Sequence, residues 1–215
     1  EGLFENGDEL MQEIAISLIK GNNSQVDVLT KKALSENYAA NTILDDGLIA
    51  GMAVVGIKFR DNFIFVPEVL IAARAMKAGM VHIEPILSAS GIEPLAKVIM
   101  GTVKGDLHDI GKNLVCMMAE GAGFTIINLG VDTSADEFLE AAKENNAGIV
   151  GMSALLTTTM PYMKTVIDAF RQEGLDEIQM CIGGGPVSEM FAEEIGADGY
   201  AADGSSAVDL FKELY

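Results

Sequence analysis

Lys97-Val98-Ile99-Met100-Gly101-Thr102-Val103 runs directly into Lys104-Gly105-Asp106-Leu107-His108-Asp109-Ile110-Gly111. The first seven residues form an apolar run of the length expected for a buried parallel strand. From about Ile110 to Glu120 the apolar residues recur at the spacing of an amphipathic helix. A strand, a loop and a helix in that order make half of a parallel α/β unit. The Asp-x-His-x-x-Gly element therefore falls on a loop at a strand's C-terminal end, where open α/β sheets bind ligands.

The residue types on that loop make chemical sense together. A histidine ligates a metal well when its other ring nitrogen is held in one tautomer. A carboxylate two residues away can hold it, because alternate residues of an extended loop point the same way. Gly111 lets the backbone approach a bulky ligand. A second reading is open from spacing alone: Asp106 and Asp109 as caps of the following helix.

Downstream the pattern keeps alternating. Strands are expected at Ala96–Val103, Thr125–Gly130, Gly148–Ser153, Gln179–Gly183 and about Gly199–Ala202. Helices are expected at about Ile110–Glu120, Ser134–Asn145, Thr159–Glu173, Val187–Ile195 and Ser206–Leu214. Short apolar strands separated by helices predict a doubly wound parallel sheet of five strands.

Upstream the chain reads as helix after helix. Leu10, Met11, Ile14 and Leu18 form a helical stripe that ends near Gly21. A second helix runs from Ser24, as N-cap, to Ser35, burying Val26, Leu29 and Ala33. A third, about Ala40 to Arg60, carries Gly47, Gly51 and Gly56 for close helix contact. A fourth begins at Pro67 with Val69, Ala73, Met76 and Met80 on one face. Four such helices predict a small bundle. Ser88 to Pro94 reads as a linker, so the domains are expected at 1–88 and 92–215.

Composition narrows the function. The chain has 215 residues, is 49% hydrophobic and 21% charged, and carries a formal net charge of −18. Such acidity argues against nucleic acid, because few basic residues are present to neutralise phosphates. Cys116 and Cys181 sit in apolar runs and read as core thiols. Neither they nor His82 and His108 have a zinc spacing. No apolar run reaches the roughly 20 residues of a membrane span. The stretch Glu1-Gly2-Leu3-Phe4-Glu5 lacks the basic start of a signal peptide, so cytoplasm is the expectation.

Gly105 to Gly111-Lys112-Asn113 fails as a phosphate loop. Five residues separate its glycines and Asn113 stands where a magnesium-binding hydroxyl belongs. Ser153-Ala154-Leu155-Leu156-Thr157 and Gly183-Gly184-Gly185-Pro186 each follow an expected strand. Hydroxyls at a strand end satisfy free backbone groups. Glycines there serve a tight turn, or leave a groove where a flat ring lies against backbone.

Asp106-x-His108-x-x-Gly111, with Ser153 to Thr157 and Gly183-Gly184-Gly185 downstream, resembles the cobalamin-binding module of corrinoid methyltransferase systems and of methionine synthase. The likeness extends over Gly101 to Asn113 and back to Phe65-Val66-Pro67-Glu68-Val69-Leu70, covering nearly the whole chain. It implies a helical cap on a flavodoxin-like domain that holds cobalamin or a related corrinoid. By that resemblance His108 is the lower ligand of cobalt, and Asp106 is its proton-coupled partner. Asp109, Gly111, Ser153, Leu155, Thr157, Gly183, Gly184 and Gly185 line the corrinoid and the slot for its nucleotide tail. Phe65 is implied as a cap over the upper face, and bulk at Gly184 is expected to block the slot more than it harms the fold.

The resemblance also implies a methyl carrier that is not catalytic alone. It would pass a methyl group from a substrate-specific methyltransferase to a second, acceptor methyltransferase, with a reductive activation protein as a further partner. The donor is left open among methanol, methylamines and methoxylated aromatics. Methionine synthase or mutase barrels are not expected at this length. The alternative is a cobalamin-dependent sensor without methyl transfer, for which a basic DNA-binding segment would be expected.

Overall fold

Leu10, Met11, Ile14, Ala15 and Leu18 form the buried face of α1 (Glu9–Ile19), whose first turn is capped by Asp8. In the computed structural model, which describes residues 8–89 and 96–215, α1 opens the first of two compact units. α2 (Asn23–Ser35) buries Val26, Leu29, Thr30 and Ala33. Its cap is Asn22, not Ser24: Gly21, at φ 69°, turns the chain so that Asn22 Oδ1 accepts from the Gln25 N–H at 3.1 Å.

The expected third helix is one helical run with a change of bonding inside it. α3 (Ala40–Thr42) passes into a π-helical segment, Ile43–Ile49, and then into α4 (Ala50–Arg60). Buried Ile43 and Leu48 lie five apart, the spacing a π turn keeps on one face. Close packing on α1 is seen at two of the glycines. A Cβ at Gly47 would meet Ile14 Cγ2 at 3.1 Å, and one at Gly51 the Ala15 carbonyl oxygen at 3.1 Å.

α5 (Val66–Ala89) starts one residue before Pro67. Its buried face is Val69, Ala72, Ala75, Met76, Ile83 and Leu87, while the expected Ala73 and Met80 are only half-buried. The face is rotated because Ala72, Ala75 and Gly79 admit close neighbours: a Cβ at Gly79 would press on Leu48 at 2.8 Å. Of the expected linker, Ser88 ends up inside α5 and residues 90–94 lie outside the described residues.

The second unit is a parallel sheet with helices on both faces. Its elements are β1 (Lys97–Thr102), α6 (Ile110–Gly121), β2 (Thr125–Asn128), α7 (Ala135–Asn145), β3 (Ile149–Ser153), α8 (Tyr162–Gln172), β4 (Gln179–Gly183), α9 (Glu189–Ile195), β5 (Gly199–Ala201) and α10 (Gly204–Leu214). The strand order is β2-β1-β3-β4-β5, the flavodoxin-like order. Ile99, Val150, Met152, Met180 and Ile182 point to a core completed by Phe138, Met163, Val166 and Phe170 of α7 and α8. The alternate face takes Met100 and Phe211, with Phe211 stacked edge-on against Phe124.

Three helix starts differ from expectation for local reasons, and the first is α9, which begins at Glu189 instead of Val187 because Ser188 supplies its cap. α8 begins at Tyr162 instead of Thr159, because Pro161 has no N–H to carry the helical ladder through the turn before it. α10 begins at Gly204 instead of Ser206, since Asp203 supplies the cap and accepts from the Ser206 N–H. Register fixes what matters for the site. Thr102 pairs with Ser153 and Ser153 with Gly183, so β1, β3 and β4 end on one row. Their loops leave from one edge, flanking the point between β1 and β3 where the strand order reverses.

Candidate functional site at the carboxyl edge of the sheet

Asp106 is fully buried, four residues after β1. Its Oδ2 accepts from the Leu155 N–H at 2.8 Å, the Leu156 N–H at 3.2 Å and the Thr159 hydroxyl at 2.7 Å. Its Oδ1 accepts from the His108 backbone N–H at 3.1 Å and lies 2.8 Å from His108 Nδ1. Burial pushes this carboxyl up, but the bonds from Thr159, Leu155 and His108 outweigh it and hold it well below the usual carboxylate range. Asp106 is therefore an anion that only accepts. The proton of a neutral His108 sits on Nδ1, and Nε2 keeps its lone pair.

The His108 side chain is 51% exposed, and its carbonyl is pinned by the Thr102 hydroxyl at 3.0 Å. Around it lies an apolar surface that water would disfavour. Leu107 is 71% exposed and Ile110 81%, with Leu155, Leu156 and Val131 also open on neighbouring loops of the same edge. Gly111 has nothing within 4 Å of where a Cβ would project.

Asp109 does not join Asp106. It stands immediately before α6, with its carbonyl accepting from the Asn113 N–H at 2.8 Å and its Oδ2 from Asn113 Nδ2 at 2.8 Å. Ser153 ends β3, and Leu155 contributes its backbone N–H to Asp106. The hydroxyl that reaches Asp106 belongs to Thr159, two residues past the stretch Ser153–Thr157 where the sequence pointed; Thr157 is exposed.

The glycine run divides by cause. Gly184, at φ 128°, would drive a Cβ into the Ala154 carbonyl oxygen, and a Cβ at Gly183 would meet the Ala201 carbonyl at 2.8 Å. Both are required by the fold, so bulk at Gly184 would break the turn itself, contrary to expectation. A Cβ at Gly185 would meet only the movable Leu155 Cδ1, at 2.9 Å. Phe65 belongs to the helical unit, where it is 63% exposed and its N–H is accepted by Glu68 Oε2 at 3.0 Å. His82 is structural: its Nε2 lies 2.6 Å from Asp27 Oδ1.

The donor set suits one kind of metal. Among the described residues no three His, Cys, Asp or Glu side chains gather to enclose a bare ion. One oriented imidazole ringed by exposed apolar residues fits a metal already held in a large flat macrocycle.

Comparison with known proteins agrees with that geometry. Models of the B12 binding domain match residues 96–210 and residues 10–84. A corrinoid protein of Desulfitobacterium hafniense (strain Y51) is 39% identical over 209 residues, 95% of this chain and 97% of that protein. The dimethylamine corrinoid protein of Methanosarcina barkeri is 40% identical, over 96% and 98% of the two chains. Among solved structures, the methanol:cobalamin methyltransferase complex of Methanosarcina barkeri matches with a TM-score of 0.86 and 29% identity, covering 96% of this chain and 80% of that one. A cobalamin-binding protein of Desulfitobacterium hafniense DCB-2 matches with a TM-score of 0.79 and 29% identity, covering 96% and 98%.

Fold and site together define a two-unit cobalamin-binding protein. The chain belongs to the B12-binding family, among its corrinoid proteins, and its cofactor is a cobalamin or related corrinoid.

Proposed function

We propose that this chain carries a methyl group on its corrinoid between two methyltransferases, with His108 as the lower axial ligand of cobalt. When bound, the corrinoid supplies a cobalt centre that accepts a methyl group from a donor and gives it up to an acceptor. The single observation that carries the ligand assignment is the 2.8 Å contact between His108 Nδ1 and the Asp106 carboxylate, which leaves Nε2 unprotonated on an exposed ring.

The chain's own residues then have separable tasks. Asp106 fixes the tautomer and direction of His108, and Leu155, Leu156 and Thr159 fix Asp106. Leu107, Ile110 and Leu155 offer an apolar bed, with Gly111 leaving room beside it. Ser153, Thr157 and Gly185 are proposed to line the slot for the nucleotide tail, and Phe65 to cover the upper face.

Partners follow from the relatives. A structure of a methanol:cobalamin methyltransferase complex and relatives named for dimethylamine support methyltransferase partners here too. The relatives named for dimethylamine, at 40% identity, support a methylated amine as the first donor to test. A net charge of −18 favours partners with a basic docking surface. An acceptor methyltransferase and a reductive activation protein complete the proposed set, and the cytoplasm is the proposed compartment; no described helix is long and apolar enough to cross a membrane.

The test uses protein labelled with 15N-histidine and reconstituted with cob(II)alamin. Electron paramagnetic resonance should show splitting by one 15N nucleus, and His108→Ala should lose it. A signal in the labelled parent that still shows only 14N, or that survives His108→Ala, would falsify the ligand assignment.

A further inference from the structure

Lys112 is the third residue of α6 and is 2% exposed. Three things oppose an ammonium at that place. Burial costs it hydration and pushes its pKa down. The first turn of a helix is its positive end. Its hydrogen-bond partners are neutral, and no carboxylate among the described residues pairs with it within 4.0 Å; Asp109 acts on it only from further away. A side chain kept against all three is not there for its aliphatic stem alone.

Its bonds say what the charge does. Lys112 Nζ donates to Asn113 Oδ1 at 2.7 Å and to Asn128 Oδ1 at 2.6 Å. An ammonium only donates, so both amides must turn their oxygens toward it and their NH2 groups away. Asn128 Nδ2 then donates to Asn113 Oδ1 at 3.0 Å, while Asn128 Oδ1 also accepts from the Gly130 N–H at 3.0 Å. Asn113 Nδ2 is left facing outward, where it donates to Asp109 Oδ2 at 2.8 Å. Without the charge Asn113 Oδ1 keeps only the donor from Asn128, and Asn128 Oδ1 only the Gly130 N–H, so both amides keep their direction but are held less firmly against Asp109. The network thus ties the end of β2 and the start of α6 to the residue that follows His108.

We propose that Lys112 is a positioning residue: its buried ammonium orients Asn113 and Asn128 so that Asp109, and with it the His108 loop, is held in the ligating arrangement before the corrinoid arrives. The claim about loop order stands by itself; the claim about ligation rests on His108 being the ligand.

Lys112→Met keeps the stem and removes the charge. Amide exchange in the apo-protein should rise at least several-fold for His108 and Asn113, while the Met180 amide in β4 exchanges as in the parent. Affinity for hydroxocobalamin should fall on the order of tenfold, the usual effect of losing a group that orients a ligand, and the histidine-nitrogen splitting should weaken. A merely structural lysine would speed exchange at Met180 as much as at His108. That result, or unchanged exchange and affinity, overturns the proposal. If Lys112→Met does not fold, Asn113→Ala cuts the relay and leaves the ammonium bonded to Asn128; it must give the same local pattern, and parent-like behaviour overturns the proposal equally. His108→Ala run alongside separates the two claims. If it retains the parent's nitrogen splitting, the ligand reading fails and the exchange result alone decides the role of Lys112.

Discussion

The Thr159 hydroxyl donates to Asp106 Oδ2 at 2.7 Å, on the same carboxylate whose other oxygen lies 2.8 Å from His108 Nδ1. Hydroxyl, carboxylate and imidazole form one chain of contacts running from a buried turn to a half-exposed ring. A carboxylate buried without such donors would protonate; with them it stays charged and directs the imidazole.

Thr159→Val should test that chain at its inner end. The substitution keeps shape and removes one charge-assisted hydrogen bond, while the Leu155 and Leu156 amides still serve Oδ2. A loss of about 1.5–3 kcal/mol is expected in denaturant unfolding of the apo-protein. The same variant should bind corrinoid more weakly than the parent. Unchanged stability would mean that the backbone amides alone satisfy the carboxylate.

How much of this was legible beforehand differs by residue. The parallel sheet was readable because its strands are short apolar runs with turn residues between them. Asp106 and His108 were readable because the loop places them two apart. Thr159 was not, since its partner lies 53 positions away and one hydroxyl in a run of three threonines looks like any other. Lys112 reads as an exposed helix residue, and only packing shows it buried. The π segment at Ile43–Ile49 left a signal in the five-residue step from Ile43 to Leu48, within a run whose other spacings are helical.

Gly111→Ala should separate stability from binding. Glycine inside a helix costs roughly 0.5–1 kcal/mol relative to alanine, and no atom lies within 4 Å of the new methyl group. The apo-protein should therefore be more stable by up to about that amount. Corrinoid affinity should fall, because the methyl group would occupy space beside His108. A variant that gains stability and binds as tightly as the parent would show that Gly111 leaves no room the ligand uses.

The two thiols should be silent in the native protein. Burial pushes Cys116 up to about 11 and Cys181 up to about 12. The unfolded chain releases these protons from about pH 8.5, while the folded one keeps them. The thiols' contribution is thus fully present below that pH. It falls as pH rises, by about 1.4 kcal/mol per pH unit and per thiol, until the folded values are reached. Disulfide-exchange reagent at pH 8 should label neither cysteine in native protein and both in guanidinium chloride. Rapid native labelling of Cys181 would contradict its burial.

Asp106→Asn turns the same logic on the ligand. Leu155, Leu156 and Thr159 all donate to Oδ2, so the amide oxygen of an asparagine must take that position. Its NH2 group then takes the place of Oδ1, facing His108 Nδ1 and the His108 backbone N–H. Two donors meet at the backbone N–H, which costs stability. At the ring, Nδ1 becomes the acceptor and the proton of a neutral imidazole moves to Nε2. An imidazole protonated on Nε2 has no lone pair there for cobalt. The variant should bind corrinoid with weakened or absent histidine-nitrogen splitting, and nitrogen NMR of the apo-protein should show the ring in the Nε2–H tautomer. Parent-like splitting with the Nδ1–H tautomer retained would mean that something other than the Asp106 carboxylate sets the direction of His108.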